Sequence, residues 1–267
     1  MQVFLGFAPA LWLDWNFSPP LLLVPLWVLT LIAAIWAASF FPRAEALLRK
    51  GMDLNRAGRP FEAELCYRRA LVKRSSVSVR VRVRLLSNLG ESLMDQGHYG
   101  EARECLNRAL ASGEPMGSCI TSMARLLLLQ GTEPQKALEM ADKAMELPSY
   151  ALDGAAFPLN LATAWALRAW ALALLGRQRE ARQGIERAVD SMAAVLAGTP
   201  SHYKTKPLYV PDHHAIVRLG VSETQWTIGM ALLAMQDTVE AGVHFRVASD
   251  TDPKGKYGKL ALQRINS

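Results

Sequence analysis

The sequence is short of the features by which most enzymes and most secreted domains are recognised. Three cysteines in 267 residues cannot build the framework of a disulfide-stapled domain. No GxxxxGKS/T, HExxH, CxxC or GxSxG occurs in the chain, which removes the common phosphate-binding, zinc-protease, thiol-redox and nucleophile-elbow chemistries. Lysine and arginine are missing from the first 42 positions, which hold one acid, Asp14. The rest carries 30 basic and 23 acidic side chains, a net charge of +7. What is present is apolar: 51% hydrophobic against 20% charged residues excludes wholesale disorder and leaves material for one or two domains.

Part of that apolar excess has an address. Leu21 to Phe41 is a run of 21 uncharged residues, interrupted only by Pro25, Thr30 and Ser39. As a helix it is about 31 Å long, the thickness of a bilayer's hydrocarbon core. A transmembrane helix is therefore expected over 21–41. Ala37-Ala38-Ser39 imitates a cleavage site, but no basic stretch precedes the run as a signal peptide requires. Arg43, Arg49, Lys50, Arg56 and Arg59 all follow it, and basic flanks stay on the cytoplasmic side. The expected topology is a single-pass inner-membrane protein, N-terminus out and C-terminal domain in the cytoplasm. Residues 1–20 form a short extracytoplasmic or interfacial segment, because Val3–Leu13 spans 11 residues, too few to cross.

Residues 43–267 contain internal repeats. The clearest, 83–116, reads VRLLSNLGESLMDQGHYGEARECLNRALASGEPM, with Leu86, Leu89, Gly90, Leu93, Gly97, Tyr99, Ala102, Leu106 and Ala109 at its key positions. Residues 44–77 place Leu47, Gly51, Leu54, Gly58, Ala63, Tyr67 and Ala70 at the same offsets. Small residues where two helices cross let the backbones approach, and large ones fill the space beside them. The pattern resembles the tetratricopeptide repeat (TPR), a 34-residue unit of helix A packed against an antiparallel helix B. Weaker copies lie near 118–151, 162–195 and 222–255, with an insert over 196–221 and a cap helix over 256–265. The resemblance implies an all-α, right-handed helical solenoid of about five helix pairs plus the cap. Val77–Arg84 alternates with period two like a strand, but Val79, Val83, Leu86 and Gly90 also recur at helical spacing. A helix starting near Ser76 is expected there, since a lone strand has no partner.

In this family the concave face holds peptides on helix A positions two, five, nine, twelve and thirteen. Here those positions are polar in repeats one and two, then turn apolar. The resemblance therefore implies a partner-binding groove at Leu126, Leu129, Trp170, Leu174, Trp226, Met230 and Leu233. The lysine and asparagine that clamp a terminal carboxylate in some members are missing from positions five and nine, which disfavours chaperone tails. Either a partner helix or the chain's own insert, with Tyr203, Leu208, Tyr209, Ile216 and Val217, is expected to cover the apolar stripe.

A basic run, Arg68, Arg69, Lys73, Arg74, Arg80, Arg82 and Arg84, has no interleaved aromatic residues, so nucleic acid is not expected. Arg80, Arg82 and Arg84 are the expected contacts for anionic lipid or an acidic partner, with a plain solvated face as the alternative. Cys66, Cys105 and Cys119 read as small packing residues. Asp212, His213, His214 and His202 are too few and too divergent for a zinc site. No metal, catalytic residue or cofactor is expected. The sequence points to a membrane-anchored, non-enzymatic adaptor gathering a protein partner at the cytoplasmic face. An extracytoplasmic assembly factor is the alternative, and a metal-dependent hydrolase using the insert a remote one.

Overall fold

The computed structural model describes residues 28, 30, 44–72, 78–112, 117–147, 157–197 and 213–266. The chain divides into Met1–Arg43 and Ala44–Ser267. In the first segment Val28 and Thr30 are described, both helical; the rest of the expected span lies outside the described residues. Among the described residues no helix is long and apolar enough to cross a membrane.

Eleven helices are described in the second segment: α1 (Ala44–Arg56), α2 (Pro60–Val72), α3 (Val79–Asp95), α4 (Tyr99–Leu110), α5 (Gly117–Gln130), α6 (Pro134–Glu146), α7 (Phe157–Leu174), α8 (Gln178–Leu196), α9 (His213–Ala234), α10 (Thr238–Thr251) and α11 (Lys256–Ile265). They form five consecutive A/B pairs, α1/α2 to α9/α10, with α11 after the last. The described part of the period-two stretch is helical from Val79, later than the start expected near Ser76: Ser78 caps α3 by accepting from the Val81 N–H at 3.3 Å. Helix wins because Val83, Leu86, Leu89, Gly90 and Leu93 lie on its buried face.

The A-to-B turn is built on one plan, which repeat three varies. Gly58, Gly97, Gly131 and Gly176 follow the ends of α1, α3, α5 and α7 with φ between 63° and 80°, the left-handed region where a Cβ is penalised. In repeat two the Gly97 N–H donates to Met94 O and the His98 N–H to Leu93 O, the paired bonds of a Schellman motif that close a helix C-terminus. Repeat five has the same bonds, from Gln236 to Leu233 and from Asp237 to Leu232, but with a glutamine at φ 65°. Gln236→Gly is expected to stabilise the fold by about 0.5–1 kcal/mol, since the side chain occupies a conformation that costs L-residues about that much or more. A rise in the urea midpoint at constant m-value checks it.

Pairs close at one recurring contact. A Cβ at Gly51 runs into the ring of Tyr67, at Gly90 into Leu106, and at Gly229 into the ring of Phe245. Each partner lies sixteen residues later on the following helix B. The glycine is what lets a large side chain lie flat on helix A, and Tyr67, Leu106 and Phe245 are all buried. Helix B residues also tie consecutive repeats on the outside: Arg68 to Glu101, Arg103 to Glu133, Arg168 to Asp142, and Arg182 to Asp237 and Glu240. These pairs are mostly half-exposed, so each contributes about 1 kcal/mol or less.

The long spacings in the C-terminal half are absorbed by longer helices. The last residues of the expected insert, 213–221, are the first turns of α9. Gly220 packs there so closely on Leu159 of α7 that a Cβ would overlap it. Residues 198–212, with Tyr203, Leu208 and Tyr209, lie outside the described residues, as do the side chains of His213, His214 and Ile216.

Candidate functional site

The inner face is set by the A helices α1, α3, α5, α7 and α9. Position nine, counted from the repeat starts at 44, 83, 162 and 222, is Met52, Glu91, Trp170 and Met230. Repeat three obeys a shifted count. Its turn has two residues, Thr132 and Glu133, between the left-handed Gly131 and helix α6, where the other four turns have one. Aligning on Gly131 puts Ala124 at the small eighth position and Arg125 at the ninth. Counting back from Ala137, as the groove expectation does, places Leu126 there, one residue late. Leu126 is instead fully buried in the core and is corrected out of the groove.

Arg125 organises the inner face, although no periodic pattern in the sequence marks it. Its side chain is 4% exposed and bridges α3 to α9. Nη2 donates to Glu223 Oε1, while Nη1 lies 3.9 Å from Glu91 Oε1. Ser122 Oγ donates to that same Glu91 oxygen at 2.6 Å. Nε and Nη1 of Arg125 are buried with no hydrogen-bond partner, so the guanidinium depends mainly on Glu223 to offset its desolvation.

The expected groove residues fall into two groups. Trp170 and Trp226 are buried and meet edge to face, their centroids 6.0 Å apart at 84°, a favoured aromatic geometry. Leu129, Met230 and Leu233 are half-buried, and Leu174 is exposed. The cover over Trp226 comes from α11, which the sequence assigned only to capping. Tyr257 of α11 packs on Trp226 with centroids 5.8 Å apart, and its hydroxyl donates to Glu223 Oε1 at 3.0 Å. The Arg125 guanidinium and the Lys256 ammonium lie 5.4 and 4.9 Å from the Tyr257 ring centre, within cation–π range. Burial pushes the Tyr257 hydroxyl pKa upward, so Tyr257 remains a neutral donor.

Lys256 Nζ bonds Asp95 Oδ2 at 2.8 Å, the two side chains 9% and 18% exposed. Burial raises the Asp95 pKa against the opposing pull of Lys256. One turn later, Lys259 Nζ donates to the Ala57 carbonyl at 2.9 Å, beside the first turn glycine, Gly58, where a Cβ would come within 3.1 Å of that ammonium. The last helix thus touches repeats one, two, three and five. A cavity of about 120 Å³ lies at this junction, lined by Met52, Asn55 and Arg56 of α1, Asn88 and Glu91 of α3, Leu219 and Glu223 of α9, and Lys256 and Tyr257.

The basic run does not form one patch. Arg68 is held by Glu64 and Glu101, and Lys73 and Arg74 lie outside the described residues. Arg80 and Arg82 are exposed and Arg84 half-buried on α3, but residues two apart on a helix point to different sides. Arg80 and Arg84, four apart, share one side of α3 while Arg82 faces another, so the three form a single contact on a strand and not on this helix. The three cysteines are free and buried, and burial pushes the Cys119 thiol up to about 12, which makes it unreactive at neutral pH. Among the described residues no group of three or more His, Cys, Asp or Glu side chains could hold a metal ion.

Five helix pairs meeting at a charged inner face define a helical-repeat architecture. Residues 83–112 match the tetratricopeptide repeat family, which places one such repeat at α3 and α4. No curated protein matches the chain in sequence. Among solved structures the chain is similar to YrrB, described as a TPR protein with an unusual peptide-binding site, at 19% identity over 84% of this chain and 92% of that one, with a TM-score of 0.38.

Proposed function

We propose that this chain is a membrane-anchored, non-enzymatic adaptor whose repeat domain gathers a protein partner on its inner face. The observation that carries the reading is the tetratricopeptide repeat at 83–112, whose helix A brings Glu91 and Asp95 to the junction of repeats one, two, three and five with α11. Repeats of this kind cannot bury their faces alone and stack into extended binding surfaces. The uncharged run 21–41 is the proposed span, and the basic residues that follow it support a cytoplasmic repeat domain.

Reporter fusions after Ser267 test the side. Activity of a cytoplasm-dependent reporter is expected; activity of an export-dependent reporter alone would overturn the cytoplasmic placement in favour of an extracytoplasmic assembly factor. Zinc-dependent hydrolytic turnover by the purified protein would overturn the non-enzymatic reading.

A further inference from the structure

We propose that α11 sits on the inner face as a stand-in for a partner segment, and that the partner this face takes is a peptide carrying a lysine or arginine followed directly by an aromatic residue. The proposal rests on the adaptor reading and supplies the chemistry of its partner.

The inner face presents three carboxylates, Glu91 and Asp95 from α3 and Glu223 from α9, against Arg125, the one buried cation among the described residues of α1–α10. Arg125 lies between Glu91 and Glu223, which leaves Asp95 to draw a cation from elsewhere, and the chain's own Lys256 fills that role. Beside it Tyr257 places its ring on Trp226 and its hydroxyl on Glu223. Two adjacent residues therefore satisfy an acidic slot and an aromatic slot together, as a short recognition motif does. A peptide arriving with the same pair meets the same charge complementarity and the same aromatic anchor.

The joint that delivers α11 is specific. Gly255 and Gly258 pass so close to Asp252 that a Cβ at either would overlap it. The turn after α10 can therefore fold back sharply enough to seat Lys256 and Tyr257. Tethered in this way, α11 acts at an effective concentration near the millimolar range, and a free segment must outcompete it. The cavity of about 120 Å³ beside the seated pair offers contacts that α11 does not make. A partner side chain reaching Met52, Asn55 and Leu219 gains an advantage there over the tethered helix.

The test uses the full chain and a fluorescein-labelled peptide of residues 253–266. Lys256→Ala combined with Tyr257→Ala vacates both slots while leaving the rest of α11 intact. The peptide is expected to bind this double variant at least ten-fold more tightly than the wild type, and Asp95→Asn added to it should remove the gain. Equal affinity for wild type and double variant, or no binding to a double variant that still melts cooperatively, would overturn the proposal and leave α11 a permanent cap. If the double variant does not fold, hydrogen exchange on the wild type decides. Excess peptide should accelerate exchange across α11 while α7 and α8 stay protected, and unchanged α11 protection would overturn the proposal. Neither readout uses a captured protein or the side of the membrane, so failure here is distinguishable from failure of the adaptor reading.

Discussion

Trp226→Ala is expected to cost the fold about 3–5 kcal/mol, the usual range for truncating a buried aromatic. The indole is 4% exposed and lies between the Trp170 and Tyr257 rings. Removing it opens a cavity between α7, α9 and α11 that none of the three can fill without moving a helix. Its Nε1 has no hydrogen-bond partner, so Trp226→Phe should cost much less, because it keeps most of the ring contact and removes an unsatisfied buried donor. Urea unfolding of the two variants separates the contributions. Equal and small losses would mean that α11 does not seal Trp226 in solution.

An asymmetry of comparable size is expected around Arg125. Glu223→Ala should destabilise by about 3–5 kcal/mol, because it leaves a buried guanidinium with its nearest remaining carboxylate oxygen, on Glu91, at 3.9 Å, beyond hydrogen-bond reach. It also removes the acceptor of the Tyr257 hydroxyl. Arg125→Met should be far milder. It withdraws the most deeply buried charge and leaves Glu91 and Glu223, with side chains 24% and 21% exposed, still able to reach water. A double-mutant cycle on the two positions gives the coupling directly. Losses of similar size in the two single variants would show that the pair is hydrated and that Arg125 does not organise the inner face.

Much of the fold is legible in the sequence because its determinants are local. Gly51 with Tyr67 and Gly90 with Leu106 are sixteen residues apart, within one repeat, and the pattern of small against large residues encodes their contact. Helix-ending glycines are equally local: Gly58, Gly97, Gly131 and Gly176 each close their own helix. The inner face was harder to read for two reasons. One extra residue in the turn at Thr132–Glu133 moved Arg125 onto the face and Leu126 into the core, and counting from the helix B alanine carries that error backwards. Counting from Gly131 puts Arg125, not Leu126, at the ninth position. The second reason is distance along the chain. Lys256 with Asp95 and Lys259 with Ala57 join residues 161 and 202 apart, and neither periodicity nor spacing encodes such a meeting. Lys256 and Lys259 read in sequence as the polar side of a cap helix.

The bond from Lys259 to the Ala57 carbonyl also bears on how many repeats this chain can have. An open solenoid tolerates gain or loss of a unit, since each one interacts only with its neighbours. Here the end of the array is fastened to its beginning. Inserting one helix pair would carry α11 away from the first turn by roughly 10 Å, a helix-packing distance, well beyond what a lysine can recover by changing rotamer. Deleting a pair would drive α11 into α1. Closure therefore counts the repeats, and the array cannot lengthen by duplication, the ordinary route by which such proteins grow, without surrendering the contact that joins its ends.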